Sequence, residues 1–208
     1  MTKSLFPLFL KLDGRRCLVV GAGGIAEGKI QGLLATGAEI RVIAPEATER
    51  VRRWASTGTI DWLRRGFRDS DLRGCFCVVA ATSSNTLHKR IFREARRRGV
   101  LCNVVDVPEL CDFYYPAVVR RGALQIAIST AGESPALAQR LRKELEKQFG
   151  PEYAEWVKRL GESRRKLNAR SEDADKRKSE LHSMASEKSF RAFQRQRTRK
   201  RAAVGRGK

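Results

Sequence analysis

The sequence predicts an α/β chain, a parallel sheet with helices on both faces, followed by a small α+β region and a helical C-terminal region. Three observations predict it. Apolar strand-length runs alternate with helix-length runs through the first half of the 208 residues, and that order with short loops favours parallel pairing through crossover helices. The first apolar run, Cys17-Leu18-Val19-Val20, ends in the turn Gly21-Ala22-Gly23-Gly24 and opens into a helical pattern. After Asp112 the alternation gives way to two short strands and then helices. The spacing Gly21-x-Gly23-x-x-Ala26 is that of a dinucleotide-binding loop, so the sheet is expected to be Rossmann-type.

Each element has a local reason. Arg16–Val20 reads as the first strand, and the helix from Ile25 to Ala35 stops at Gly37. Glu39–Ile43 is the second strand, stopped by Ala44-Pro45, and a helix over Ala47–Ser56 ends at Gly58. Thr59–Leu63 and the apolar run Cys75–Ala80 are the third and fourth strands. Asn85–Arg98 is an amphipathic helix with Leu87, Ile91 and Ala95 on one face, closed by Gly99. His88 falls on its polar face and is expected to be solvated. Val100–Val105 is the fifth strand. Tyr115–Val119 and Leu124–Ile128 form a hairpin across Arg120-Arg121-Gly122-Ala123. Ser134 and Pro135 are the N-cap and first position of a helix that runs to Phe149 and stops at Gly150-Pro151. Pro151–Leu160 reads as helical again, with Tyr153, Trp156, Val157 and Leu160 as the apolar face, and beyond Gly161 apolar residues thin out. The expected organisation is a nucleotide-binding domain over residues 1–112, a dimerisation region over 113–149 and a helical region over 150–193. A basic, flexible tail over 194–208 completes it. An isolated hairpin is marginal in water, so a homodimer is expected to bury it.

Composition narrows the class. The formal net charge is +20, with a sequence pI near 10.6. Half of that excess lies beyond Gly161. Charge of this kind favours phosphate or carboxylate partners in general, but no nucleic-acid reader motif or base-stacking aromatic pattern accompanies it. A solvated extension and a nonspecific nucleic-acid arm are both open readings of the tail. Five cysteines without a secretory leader fit free thiols in a reducing cytoplasm. Cys75-x-Cys77 lacks the spacing and the second ligand pair of a metal site, and no metal is expected. No run approaches the ~18 apolar residues of a membrane span.

The candidate site is built on strand ends. Gly21 allows the tight turn, Gly23 lets the backbone approach a pyrophosphate, and Ala26 lets the helix pack close to the sheet. Gly24 and Ile25 lie in the first helical turn, whose free N–H groups receive the phosphates. Glu46, just beyond the second strand, is a candidate for a ribose 2′-OH, which favours NAD over NADP; it is equally a carboxylate in the first turn of the next helix. Asn103 and Asp106 end the fifth strand, where open parallel sheets carry their chemistry. Asp106 either faces a bound nicotinamide or caps the following loop.

The ordered set Gly21-x-Gly23-x-x-Ala26, Ala80-Ala81-Thr82, Asn103-Val104-Val105-Asp106, Cys111-Asp112-Phe113 and Ile128-Ser129-Thr130-x-Gly132-x-Ser134-Pro135-x-Leu137-Ala138 resembles the precorrin-2 dehydrogenase family, the N-terminal type of siroheme synthase. The resemblance covers roughly residues 4 to 150. Some members of that family are also sirohydrochlorin ferrochelatases. The resemblance implies a homodimer that oxidises precorrin-2 to sirohydrochlorin with NAD⁺ in siroheme biosynthesis. Iron insertion is a further step that the sequence leaves open.

The family's essential carboxylate falls on Asp106 and its cofactor contacts on Gly21, Gly23, Gly24, Ala81 and Thr82. Its Ser/Thr pair near the tetrapyrrole falls on Ser129 and Thr130. Many relatives have Gly-Gly after that pair, where this chain has Ala131-Gly132. A polycarboxylate substrate also gives a use to Arg120, Arg121 and Arg140, whose other reading is solvated surface. The reading from another class is a regulatory NAD(H)-binding module without catalysis. That module would account for the glycine turn but leave Asp106 and the Ser129–Ala138 segment without a purpose.

Overall fold

In the computed structural model, which describes residues 4–170 and 173–205 (side chains as far as 199), the chain divides into two units, Met1–Tyr115 and Pro116–Lys208. The first unit is a five-stranded sheet in the order β3-β2-β1-β4-β5, every neighbouring pair parallel. Its strands are β1 (Arg16–Val20), β2 (Glu39–Ile43), β3 (Asp61–Leu63), β4 (Cys77–Ala80) and β5 (Leu101–Val104). Both faces are covered, so the central strands read as continuous apolar runs rather than alternating ones.

Alternate residues of β1 serve two cores. Cys17 and Val19 pack with Ala26, Ile30 and Leu33 of α1 (Gly24–Leu34) and Val51 of α2 (Glu49–Ser56). Leu18 and Val20 pack with Ile91 and Ala95 of α3 (Asn85–Arg97). Helix α2 begins two residues later than the apolar pattern suggests, because Thr48 caps it: its hydroxyl accepts Val51 N–H at 3.3 Å. The outer edge of β5 is occupied by residues 111–113. Asp112 N–H donates to Cys102 O at 2.7 Å, and its carboxylate accepts Cys102 N–H at 2.9 Å. The free cysteines serve this packing. Cys17, Cys75, Cys77 and Cys102 are buried, and burial pushes the Cys102 thiol up to about 12.

The second unit begins with an antiparallel hairpin of β6 (Ala117–Arg121) and β7 (Leu124–Ile128). Its loop is the two residues Gly122-Ala123, not four. Gly122 takes φ 59°, which suits the first loop position of a type II′ turn. Helices α4 (Pro135–Gln148) and α5 (Glu152–Arg170) pack on this hairpin, with Val119 fully buried. The chain continues in α6 (Ala174–Met184) and α7 (Glu187–Gly205).

Two expectations about this unit need correction. Helix α5 runs through Gly161, since an interior glycine costs only about 1 kcal/mol and aromatic packing against α7 outweighs it. Tyr153 lies 4.5 Å from Phe190, and Trp156 lies 5.1 Å from Phe193, ring centre to ring centre. The tail expected to be flexible from residue 194 continues α7 instead. Gln194 donates to Glu152 at 3.4 Å, and Arg197 pairs with Glu155 at 3.4 Å. The last residues of that proposed tail, 206–208, lie outside the described residues.

One buried ion pair holds the long connection between β3 and β4. Asp71, 7% exposed, accepts both Arg65 nitrogens at 2.8 and 2.6 Å and Arg68 N–H at 2.8 Å. Burial works to raise its carboxyl, but the Arg65 guanidinium and the Arg68 N–H overcome it and hold the group below its ordinary range. Asp71→Ala is expected to cost about 2–3 kcal/mol in denaturant titration at neutral pH. A lowered folded value means that the contribution is complete above the unfolded Asp value near ~4 and is lost as pH falls through the folded one. The difference between wild type and variant should therefore shrink in acid.

Candidate functional site

The carboxyl ends of four strands form one row, with Val20 beside both Ile43 and Ala80, and Ala80 beside Val104. The strand order reverses between β1 and β4, and ligands of open α/β sheets bind in the crevice at that point. Gly21 follows β1 and Ala81-Thr82 follow β4, so they flank this crevice. Glu46 stands beyond β2, exposed and in a loop rather than in a helical first turn. Asp106 stands beyond β5.

The glycine turn is shaped by close contact on one side and open space on the other. Gly21 has φ 104°, and a Cβ built there would meet Ala81 O at 2.2 Å. At Gly23 and Gly24 the same test finds nothing within 4 Å. Gly23 is the N-cap of α1, and among the described residues no side-chain cap bond is made there, so the first turn of α1 offers backbone donors at that end. Ala26 is fully buried against the sheet. Cleared space over glycine, backbone N–H groups and the positive end of a helix dipole fit a pyrophosphate.

Asp106 occupies a left-handed turn at φ 61°, a conformation in which Asp and Asn are enriched among non-glycine residues. Its side chain is exposed. On α1, Lys29 Nζ lies 3.9 Å from the centre of the Tyr115 ring. Burial pulls the Lys29 ammonium below its ordinary range, while Asp106 and Cys111 favour its charge. Asn103, grouped with the cofactor residues from its position, points into the fold. Its amide nitrogen donates to Phe113 O at 2.8 Å and to Cys111 Sγ at 3.4 Å. Its observed task is to pin the 111–113 segment to β5.

In the second unit, Ser129 and Thr130 build a turn before α4. Ser129 Oγ accepts Ala131 N–H at 3.1 Å, and Thr130 Oγ1 accepts Ser134 N–H at 3.1 Å. Ala131 takes φ 52° although it is not glycine. Arg120 is exposed on β6, and Arg140 is exposed and paired with Glu144 at 3.1 Å. Arg121 is not available as a surface cation: it donates to Phe149 O at 2.7 Å and Glu146 O at 3.0 Å, closing the C-terminus of α4.

A family described as NAD(P)-binding matches residues 8–117, and the sirohaem biosynthesis protein central family matches residues 121–148. The chain belongs to the N-terminal family of siroheme synthases. Siroheme synthase from Nitrosococcus oceani is 41% identical over 140 residues, 67% of this chain and 30% of that protein. Its counterpart from Pseudomonas entomophila is 40% identical over 172 residues, 83% of this chain and 37% of that protein. The chain thus spans about a third of the length of these curated relatives. Among solved structures it is similar to the precorrin-2 dehydrogenase SirC, at 27% identity and a TM-score of 0.77, covering 92% of this chain and 98% of that one.

Several residues around this siroheme-synthase turn escaped sequence reasoning. Thr48 clamps the glycine loop by donating its backbone N–H to Ala22 O at 3.0 Å and its hydroxyl to Glu27 at 2.9 Å. Lys29 carried one signal, its position between the buried Ala26 and Ile30. His88 is not solvated but 5% exposed, with Nε2 3.0 Å from Thr82 Oγ1. Among the described residues no group of three or more His, Cys, Asp and Glu is placed to hold a metal ion, and no helix is long and apolar enough to cross a membrane.

The two glycines should separate fold from binding. Gly21→Ala forces a Cβ onto Ala81 O and is expected to cost about 1–3 kcal/mol of stability. At Gly23 a Cβ meets open space, so Gly23→Val should remain folded and lose less stability than Gly21→Ala, the poorer N-cap included. Its NAD⁺ affinity by calorimetry should fall about tenfold or more.

Proposed function

We propose that the chain oxidises precorrin-2 to sirohydrochlorin in siroheme biosynthesis, with NAD⁺ as the acceptor. The observation that carries the reading is the pairing, on one sheet edge, of an open dinucleotide turn with the exposed carboxylate of Asp106. The end-to-end likeness to a precorrin-2 dehydrogenase supports it. Dehydrogenation removes a hydride and a proton. Bound NAD⁺ supplies hydride acceptance. The chain's own residues do the rest. The turn Gly21–Ala26 and the N-terminus of α1 hold the pyrophosphate, with Ala81 and Thr82 beside it and Glu46 on a ribose hydroxyl. Asp106 Oδ accepts the proton from the reduced ring. Its left-handed turn leaves the carboxylate exposed where a substrate can reach it.

Arg120 and Arg140 bind carboxylates of the tetrapyrrole through charge-assisted hydrogen bonds, and Ser129 and Thr130 shape the neighbouring turn. The protein acts as a cytoplasmic homodimer. The two-stranded hairpin β6–β7 supports this, since both of its edges are unpaired within its own sheet.

Asp106→Asn tests the catalytic assignment, because Asn also tolerates the left-handed turn and keeps the shape. Conversion of precorrin-2 by NAD⁺, followed by absorbance, should fall about 10²–10⁴-fold with NAD⁺ affinity unchanged. Near-normal conversion would refute the role, and lost iron insertion with intact dehydrogenation would move Asp106 to chelation. Light scattering at micromolar concentration should give twice the chain mass of 23.4 kDa; an active monomer would end the dimer proposal.

A further inference from the structure

His88 is buried, yet its Nδ1 has no hydrogen-bond partner among the described residues. Its other nitrogen, Nε2, lies 3.0 Å from Thr82 Oγ1. A neutral imidazole carries its proton on one nitrogen only. A proton on Nδ1 would leave a buried N–H without an acceptor, and orphaned N–H donors are the rarer defect in folded proteins. The network therefore assigns the proton to Nε2, which donates to Thr82 Oγ1. That oxygen also accepts Ser84 N–H at 3.4 Å. A hydroxyl has two acceptor sites and one proton. With both acceptor sites taken from the side of α3, the Thr82 proton has only the remaining direction.

Thr82 also stands against the glycine turn. Its Cγ2 would lie 3.3 Å from a Cβ built on Gly21. The residue thus bridges α3 and the crevice at the β1–β4 switch point. We infer that His88 is a positioning residue: by donating to Thr82 Oγ1, it makes the Thr82 hydroxyl a dedicated donor to an oxygen of the bound dinucleotide. This rests on the dinucleotide reading of the site and adds to it an orienting residue that never touches the ligand.

The test is calorimetric titration of the full chain with NAD⁺. Thr82→Val keeps the methyl that faces Gly21 and removes the donor. His88→Phe fills the cavity but cannot donate, so the Thr82 hydroxyl is no longer held in one orientation. Each should weaken NAD⁺ about 3- to 10-fold. The double variant should be no weaker than Thr82→Val alone, since the two act through one bond. His88→Gln carries an amide N–H near the position of Nε2 and should restore most of the affinity, which a merely space-filling role would not predict.

Wild-type affinity in a folded His88→Phe protein would overturn the inference, as would additive losses in the double variant. Should His88→Phe fail to fold, Thr82→Val and His88→Gln carry the test: Thr82→Val binding like wild type overturns it. Wild-type protein that gives no binding signal with NAD⁺ overturns the dinucleotide reading itself. Binding that is normal in every variant overturns the roles of both His88 and Thr82 and leaves the dinucleotide reading of the glycine turn standing.

Discussion

The backbone at Gly21 passes so close to Ala81 that only hydrogen fits on its α carbon, and the geometry of the whole sheet edge follows from that approach. Strands β1 and β4 are neighbours because residues 39–76 leave to one side and the chain crosses back. The approach closes the inner wall of the crevice, and the sheet hydrogen bonds set the rest. Gly21 N–H donates to Ile43 O at 2.9 Å and Ala81 N–H to Val20 O at 2.8 Å. Val105 N–H donates to Ala80 O at 3.0 Å. Each bond ties the first loop residue of one strand to the last of its neighbour. The glycine turn, Thr82 and Asp106 are therefore fixed by one continuous ladder, a more rigid support than loop packing would give.

Around this ladder the polar groups are arranged by what burial demands. Lys29 is partly desolvated, and the face of Tyr115 and the nearby Asp106 carboxylate offset part of that cost. Asn103 spends its amide on the 111–113 segment, which in turn covers the open edge of β5. The cysteines add weakly polar thiols to these cores, with Cys77 and Cys17 sulfurs 3.4 Å apart across paired strands. The site is thus polar at its rim and apolar immediately beneath.

Much of the sheet was legible because its signals are local. The run Cys17–Val20 and the glycines that follow define strand, turn and helix within a dozen residues. The place of Asp106 just beyond β5 was legible because it follows an apolar run. Other features depend on partners far away in sequence. His88 is an exception nearer by, six residues from the Thr82 hydroxyl that its Nε2 meets. Helix α5 continues through Gly161 because Phe190 and Phe193 cover its aromatic face. Residues 194–199 are helical because Glu152 and Glu155 receive Gln194 and Arg197. Arg121 looked like a surface cation because nothing nearby reveals the carbonyls of Glu146 and Phe149 that it closes. For Arg121 and for residues 194–199, a charge pattern reads as solvation where a partner distant in sequence satisfies it.

The division at Tyr115 also bears on synthesis. All five parallel strands, and the 111–113 segment that covers the outer one, are emitted by the ribosome before Pro116. The N-terminal sheet can close while translation of residues 116–208 is still under way, an interval of roughly 5–20 s at ordinary elongation rates. The C-terminal unit has no such head start. Its aromatic seam joins Tyr153 and Trp156 to Phe190 and Phe193, so α5 waits, with those rings uncovered, until α7 has emerged. That waiting period is the point in the life of the chain when chaperone capture or aggregation is most probable.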